Sequence, residues 1–130
     1  MPQANAVFQI VSGEERIYAK VTDAPKLMKG SFTIRYEGDM EGEGVLGELK
    51  IYLTDKLSTV YGLERFVGML GDKKGTFVLQ HTGILRDGVL DSKRSVLPGS
   101  GTGQLKGLQG TININTAPAN TMPIIFNYEL

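Results

Sequence analysis

The chain lacks cysteine and tryptophan, and His81 is the single histidine among its 130 residues. Without cysteine, disulfides and thiolate chemistry are excluded, so a nucleophile would have to be Ser, Thr, Lys, Tyr or a carboxylate. One histidine without an HxxxH or HExxH pattern argues against a zinc site. We therefore expect no metal site and no cofactor, although a hard-cation site made of carboxylates alone stays open.

An excess of charge of either sign is also missing. Fourteen basic residues balance fourteen acidic ones, and the two signs are interspersed. This pattern is unlike the basic surface of proteins that bind nucleic acid or membranes. No run approaches the ~20 apolar residues of a membrane helix, and the opening stretch MPQANAVFQIVSGEER has no signal-peptide pattern. We expect a cytoplasmic protein that binds neither nucleic acid nor membrane.

Glycine is abundant, and its distribution predicts the fold class. Seventeen glycines and five prolines are spread along the chain, which argues against long helices. The segments between them alternate with period two and are rich in β-branched and aromatic residues. The length favours one domain spanning residues 1–130. An antiparallel all-β barrel or sandwich is predicted from the strand candidates FQIVS, RIYAKV, SFTIRYE, LGELKIYL, YGLERFVGML, GTFVLQHTG, DSKRSVL, GTININT and PIIFNYEL.

Two turn sequences predict how the central strands pair. The stretch LGDKKG indicates a tight hairpin with Asp72-Lys73 at its tip, which places Glu64 opposite His81. The Asp-Gly pair in RDGV favours a primed turn, and this hairpin places His81 opposite Arg94. Glu64, His81 and Arg94 are therefore predicted to form a row across adjacent strands.

The longer loop TDKLST predicts a third pairing, with Glu48 opposite Arg65 as an exposed ion pair and Leu49 opposite Glu64. Alternation then assigns residues to the inner face, including Glu43 by extension of its strand. The last strand is expected to turn Ile124, Phe126 and Tyr128 inward. The predicted inner face also contains Val45, Gly47, Leu49, Ile51, Leu53, Phe66, Gly68, Leu70, Phe77, Leu79, Leu85, Leu90 and Val96.

The row of ionisable residues on this inner face is the candidate site. A carboxylate beside a histidine favours the imidazolium and fixes its tautomer, whereas an arginine on the other side opposes that charge. Such an arrangement suits general acid–base chemistry or the orientation of an anion. Two alternatives stay open: a satisfied polar network that closes one end of the barrel, or a different register that turns these residues to solvent.

Two other motifs suggest ligands but lack the required pattern. The glycine-rich LPGSGTGQLKGLQG has no GxxxxGK[ST] and lies between strand patterns, so bending or bulging of strands is favoured over phosphate binding. EGDMEGEG has acidic residues at near-calcium spacing but lacks the DxDxDG order. A solvated or bulged strand is expected there.

The chain resembles a family of small bacterial proteins of unknown function in the stretches GDMEGEG, YGLERFVGMLGDKKGTFVLQHTG, VLPGSGTGQLKGLQG and FNYEL. The resemblance implies a closed eight-stranded antiparallel meander barrel, similar to the allene oxide cyclase barrel and lipocalin-like in outline. It implies no activity, since fold similarity does not carry function. Many relatives have tryptophan where this chain has Arg94, so the Glu64–His81 pair is family-like and the arginine is this chain's own feature.

These observations favour a barrel that binds a small, partly apolar ligand, which could carry a carboxylate for Arg94. The first alternative is an isomerase or cyclase that uses Glu64 or His81 as acid or base and Tyr128 as a donor. The second is a homo-oligomeric assembly module that associates through outer residues such as Leu63, Val67 and Val78. A cavity of several hundred Å³ would favour binding or catalysis, and a filled barrel would favour assembly. The predicted ligand-binding residues are Glu43, Glu64, Phe66, Leu79, His81, Arg94 and Tyr128.

Overall fold

A computed structural model describes residues 2–130, which form β-strands joined by turns and loops. The strands are β1 Gln3–Ala19, β2 Leu27–Gly38, β3 Met40–Thr54, β4 Leu57–Leu70, β5 Lys73–Arg86, β6 Val89–Val96, β7 Thr102–Gly103, β8 Gln109–Thr116 and β9 Thr121–Glu129. FQIVS and RIYAKV, predicted as two strands, belong largely to the single long β1. Eight of the strands close an antiparallel barrel in the order β1-β2-β3-β4-β5-β6-β8-β9, with β9 returning to β1. The predicted closed eight-stranded barrel is thereby confirmed.

Within residues 2–130 there is no helix of the length and apolar character that crossing a membrane requires.

The β5–β6 hairpin has the predicted register. Asp87 and Gly88 form its tip with φ angles of 52° and 81°, as a primed two-residue turn requires. His81 therefore lies directly opposite Arg94.

The β4–β5 hairpin is displaced by two residues from the prediction. Its tip is Gly71-Asp72, because Gly71 supplies the positive φ (61°) that the first position of a primed turn needs. Glu64 consequently faces Leu79, and His81 faces Gly62. The predicted direct opposition of Glu64 and His81 is wrong. A shift of two keeps every side chain on its predicted face, so both residues still point inward.

The β3–β4 register differs from the predicted register by an odd number of residues, so each side chain of β3 points to the face opposite to the predicted one. Glu64 faces Leu46 rather than Leu49, and Arg65 faces Val45 rather than Glu48. Leu46 is buried, whereas Val45 and Leu49 are about half exposed. The predicted inner face of β3 and the predicted Glu48–Arg65 ion pair are therefore wrong.

The glycines of β3 explain why its inner and outer faces are exchanged relative to the prediction. Gly42 and Gly44 occupy inner positions, where a Cβ at Gly42 would meet Phe66 and one at Gly44 would collide with Glu64. Because these inner positions of β3 lack side chains, they leave space for side chains of β4. The apolar residues of β3 that alternation assigned to the core lie outside.

Aromatic rings fill the barrel interior. A continuous series of ring contacts, with centroids 4.9–6.4 Å apart, crosses the barrel through Phe8, Tyr36, Phe66, Phe77, Phe126 and Tyr128. Leu105 and Leu108, from the loop after β7, are also buried in this core. That loop bonds Lys74 next to the β4–β5 turn, so it closes this end of the barrel. The opposite end, bounded by the β3–β4 and β5–β6 turns, holds the polar side chains.

Candidate functional site

Glu64 is the centre of a buried hydrogen-bonded chain. Its side chain is fully buried, and the Tyr36 hydroxyl donates to Oε2 at 2.5 Å. Nε2 of His81 lies 2.8 Å from Oε1. The Glu64 carboxylate reaches Tyr36, two strands away, by lying over Gly44 of β3. Both carboxylate oxygens therefore have a partner, as a buried charge requires.

Protonation in this chain follows from its contacts. Burial acts to raise the pKa of Glu64, but the hydrogen bond and charge of His81, the Tyr36 hydroxyl and the Arg94 charge outweigh it and lower the pKa. Burial and the Arg94 charge lower the pKa of His81 despite its bond to Glu64. Burial and the Glu64 charge raise the pKa of Tyr36 well above 10.0. At neutral pH, Glu64 is ionised and a neutral His81 donates its Nε2 proton to it, which leaves Nδ1 with a lone pair.

Arg94 lies opposite His81 and is 8% exposed. Its guanidinium carbon is 5.1 Å from the centre of the Phe8 ring, a cation–π contact. Nε and Nη1 are buried and have no hydrogen-bond partner among residues 2–130. Buried donors of a charged group are rarely left unpaired, because the lost hydration is costly. Both donors are therefore available to an acceptor from outside these residues.

Arg94 lines a cavity of about 160 Å³ at the polar end of the barrel. The volume corresponds to about five water molecules, below the roughly 300–1,000 Å³ of drug-sized pockets. Its wall contains both polar and apolar side chains. We call it the mouth cavity; it is lined by Glu48, Lys50, Ser58, Val60, His81, Leu85, Leu90, Ser92, Arg94 and Pro118.

The second cation of the mouth cavity is already paired. Nζ of Lys50 lies 3.5 Å from a carboxylate oxygen of Glu48 and 3.5 Å from one of Glu15. Burial acts to lower the pKa of Lys50, but these two carboxylates outweigh it and raise the pKa. Burial raises the pKa of Glu48, against the charge of Lys50. Arg94 is therefore the cation of this cavity that an incoming anion would meet without displacing an ion pair.

The structure brings together three of the predicted site residues and separates the others. Glu64, His81 and Arg94 share the inner face, with His81 between the carboxylate and the guanidinium. Glu43 is exposed on the outer face, so its predicted inward position is wrong, because the two faces of β3 are exchanged relative to the prediction. Tyr128 points toward the core but stacks on a neighbouring ring at 5.5 Å and does not line the mouth cavity.

Phe66 and Leu79 are inward, as predicted, but both are fully buried in the packed core. Neither lines the mouth cavity. Their role in this structure is to form the apolar layer next to the polar chain.

Tyr36 is a member of the polar chain that the sequence prediction missed. The alternation in SFTIRYE places Phe32, Ile34 and Tyr36 on one face, and that pattern could have identified an inward tyrosine. Ser58 and Ser92, also missed, are buried polar residues of the mouth cavity. No local signal distinguishes them from the exposed serines of other strands.

A second concave region lies on the outside of the barrel. This outer groove has a volume of about 570 Å³ and contains outward residues such as Leu49, Tyr61 and Leu63. Gly47 lies among them, with nothing within 4 Å of where its Cβ would be. Val78, a predicted outer contact residue, is instead 9% exposed, and Ser100 accepts a hydrogen bond from its main-chain nitrogen.

Comparison with known proteins agrees with this fold. A family model described as "Protein of unknown function (DUF3224)" matches residues 4–128. The chain is similar to a crystal structure of a protein with unknown function from the DUF3224 family of Shewanella oneidensis MR-1. The TM-score is 0.84 and the identity 25%, over 100% of this chain and 98% of that one. No curated protein matches. The predicted resemblance to a family of unknown function is confirmed.

Proposed function

The chain belongs to the DUF3224 family of proteins of unknown function, and from its own side chains we propose that it binds a small, partly apolar carboxylate in the mouth cavity. The observation that carries this proposal is Arg94. Its guanidinium is buried, borders a cavity, and has two donor nitrogens without partners among residues 2–130. A carboxylate matches the planar fork of a guanidinium and can accept two hydrogen bonds from it.

The remaining wall of the cavity supports a ligand that is polar at one end only. Val60, Leu85 and Leu90 supply apolar surface, while Ser58 and Ser92 supply hydroxyls. Binding would supply an acceptor to Arg94 and remove apolar ligand surface from water. The cavity volume of about 160 Å³ limits the ligand to short-chain or single-ring acids.

The test is to measure carboxylate binding in Arg94→Gln. Acetate, butanoate and benzoate are the probes, each compared with its neutral amide, and ligand-observed NMR is the readout. We expect the acids to bind wild type and the amides to bind more weakly. In Arg94→Gln, affinity for the acids should fall about 10–100-fold, because a charged hydrogen bond contributes about 1.5–3 kcal/mol.

Arg65→Gln is the matched control, because Arg65 lies on the outer face of β4 and does not border the cavity. It should bind the acids as wild type does. The proposal would be refuted if Arg94→Gln, shown to be folded by circular dichroism, kept wild-type affinity. Equal binding of acids and amides to wild type would refute it too.

A second candidate function, homo-oligomeric assembly, rests on a different observation. The barrel interior is largely filled, and the outer faces of β3 and β4 carry large apolar residues that are 46–55% exposed. Leu49 lies opposite Tyr61, and Leu63 lies opposite Gly47, so these side chains form a patch. A contiguous exposed apolar patch is typical of an interaction surface. Its members are Val45, Leu49, Tyr61, Leu63 and Val67.

Light scattering coupled to size-exclusion chromatography distinguishes this candidate. If the patch holds copies together, wild type elutes as an oligomer and Leu63→Asp elutes as a monomer. Ile125→Asp, which changes a similarly exposed apolar residue on β9, should leave the oligomer intact. A monomeric wild type at its highest soluble concentration would remove assembly as a function of this face.

A further inference from the structure

The proposed binding site contains a base as well as an anchor for an anion. His81 lines the same mouth cavity as Arg94 and lies directly opposite it on the neighbouring strand. Opposed residues of a ladder have Cβ atoms about 4.5–5.5 Å apart. A carboxylate on the guanidinium would therefore hold the next atoms of the ligand beside the imidazole.

The bond to Glu64 engages one nitrogen of that imidazole, Nε2, at 2.8 Å. His81 lines the mouth cavity and also the outer groove. A neutral imidazole with Nε2–H donated to a carboxylate presents its lone pair at Nδ1.

Glu64 and Tyr36 hold this base in position. The carboxylate fixes the tautomer and ring orientation of His81, and the Tyr36 hydroxyl fixes the carboxylate in turn. A base oriented by a third group is the arrangement that general acid–base catalysis requires.

We propose that the mouth cavity catalyses keto–enol tautomerisation of short 2-oxo acids, with Nδ1 of His81 as the base and Arg94 as the anchor of the carboxylate. This activity rests on the proposed carboxylate binding. A 2-oxo acid is the substrate class because a neutral imidazole is a weak base and needs a C–H bond activated by an adjacent ketone. The carboxylate beside that ketone is the group that Arg94 recognises.

The protons and electrons of the proposed step balance. The C–H bond at C3 breaks and an N–H bond forms at Nδ1, while the electron pair moves into a C2–C3 double bond and places negative charge on the C2 oxygen. The charge of Arg94 stabilises this enolate. The imidazolium then returns the proton to the oxygen, which gives the enol, or to C3, which restores the ketone. No oxidant, reductant or second substrate is consumed.

Deuterium exchange tests the proposal. Pyruvate and 2-oxobutanoate are incubated with the protein in D2O, and the loss of the C3 proton signal is followed by NMR. We expect exchange about 100-fold faster than with the same concentration of free imidazole, the lower range of general acid–base catalysis. The rate should increase with pH through a midpoint below 6.5, because the neutral form of His81 is the base. The charged groups that act on this imidazole are Glu64 and Arg94, and Glu48 and Lys50 line the same cavity.

Variants separate the roles of the residues. His81→Gln should reduce exchange to the buffer rate and keep pyruvate binding, and His81→Asn serves if the glutamine variant does not fold. Glu64→Gln, a change in a positioning residue, should move the pH midpoint lower, because Glu64 raises the pKa of His81. A purely structural role would not move that midpoint. Glu43→Gln, on the outer face, is the control and should exchange as wild type does.

Other results of these experiments would refute the proposed tautomerisation. Exchange that persists in His81→Gln would rule out this base. Binding of both oxo acids without accelerated exchange would refute catalysis and leave the carboxylate-binding proposal standing. Binding of butanoate or benzoate but neither oxo acid would refute the substrate class. Absence of binding by every carboxylate would refute the proposed function together with this activity.

Discussion

Replacing Glu64 with leucine should lower the free energy of unfolding by about 3–5 kcal/mol, the range for removing one partner of a buried ionic network. The change leaves the Tyr36 hydroxyl and Nε2–H of His81 buried without an acceptor. It also removes the buried carboxylate whose charge lies near that of Arg94. Urea denaturation of the two proteins at neutral pH measures the difference.

Glu43→Leu is the matched control, since Glu43 lies on the neighbouring strand β3 and its side chain is exposed on the outer face. It should leave stability nearly unchanged, as most surface substitutions do. Similar losses in Glu64→Leu and Glu43→Leu would contradict the buried hydrogen-bonded chain.

The hydrogen-bonded chain of Tyr36, Glu64 and His81 also predicts how the stability of the protein depends on pH. Glu64 has a lowered pKa in the folded protein, so its contribution is complete above about 4.5 and is lost as the pH falls through the folded value. His81 also has a lowered pKa, and its contribution decreases as the pH falls below about 6.5. Stability should therefore fall on acidification in both windows. Glu64→Gln should flatten the lower window, and His81→Gln the upper one.

Gly44→Ala should destabilise the protein by about 2–4 kcal/mol, although it adds one methyl group. The new Cβ would occupy the space of the Glu64 carboxylate. The carboxylate would have to leave one or both of its hydrogen bonds, which adds the penalty of an unpaired buried group to that of overpacking. Thermal or urea denaturation measures the loss, and the shift should be smaller in a Glu64→Ala background, where the collision is absent.

Gly47→Ala is the matched control on the same strand. Gly47 is exposed on the outer face, and nothing lies within 4 Å of the position of its Cβ. Its substitution should change stability by less than about 1 kcal/mol, and a small gain is expected because alanine reduces the entropy of the unfolded chain. If Gly44→Ala were as well tolerated as Gly47→Ala, the position of Glu64 over β3 would be wrong.

Local turn chemistry accounts for what could be predicted about the row of ionisable residues. Asp-Gly is a specific signal for a primed turn, and it correctly placed His81 opposite Arg94. In LGDKKG two tips were compatible with a tight hairpin, and the glycine at position 71 selected the other one. The predicted register was wrong by two residues, an even number, so Glu64 and His81 stayed on the predicted face.

The β3 strand shows where alternation stops being informative. Val45 and Leu49 are large and apolar but lie outside, whereas Gly42 and Gly44 lie inside. A pattern of apolar and polar residues predicts which face is buried only if the larger apolar residues face the core. Here side chains of β4 fill the space on the core side of β3. This arrangement can be recognised only when the positions of both strands are known. Glu43 was assigned to the site for this reason.

The sequence by itself determined the strand-rich architecture, the absence of cysteine chemistry, the β5–β6 register and the inward direction of Glu64, His81 and Arg94. These follow from local preferences: glycine and β-branched residues along the chain, and a turn whose φ angles few residues adopt. The tertiary structure alone decided which groups meet. Tyr36 of β2 reaches Glu64 of β4 across the intervening β3, and two donors of Arg94 have no acceptor among residues 2–130. Such contacts depend on the closure of the barrel and on which side chains are small, and no local pattern encodes them.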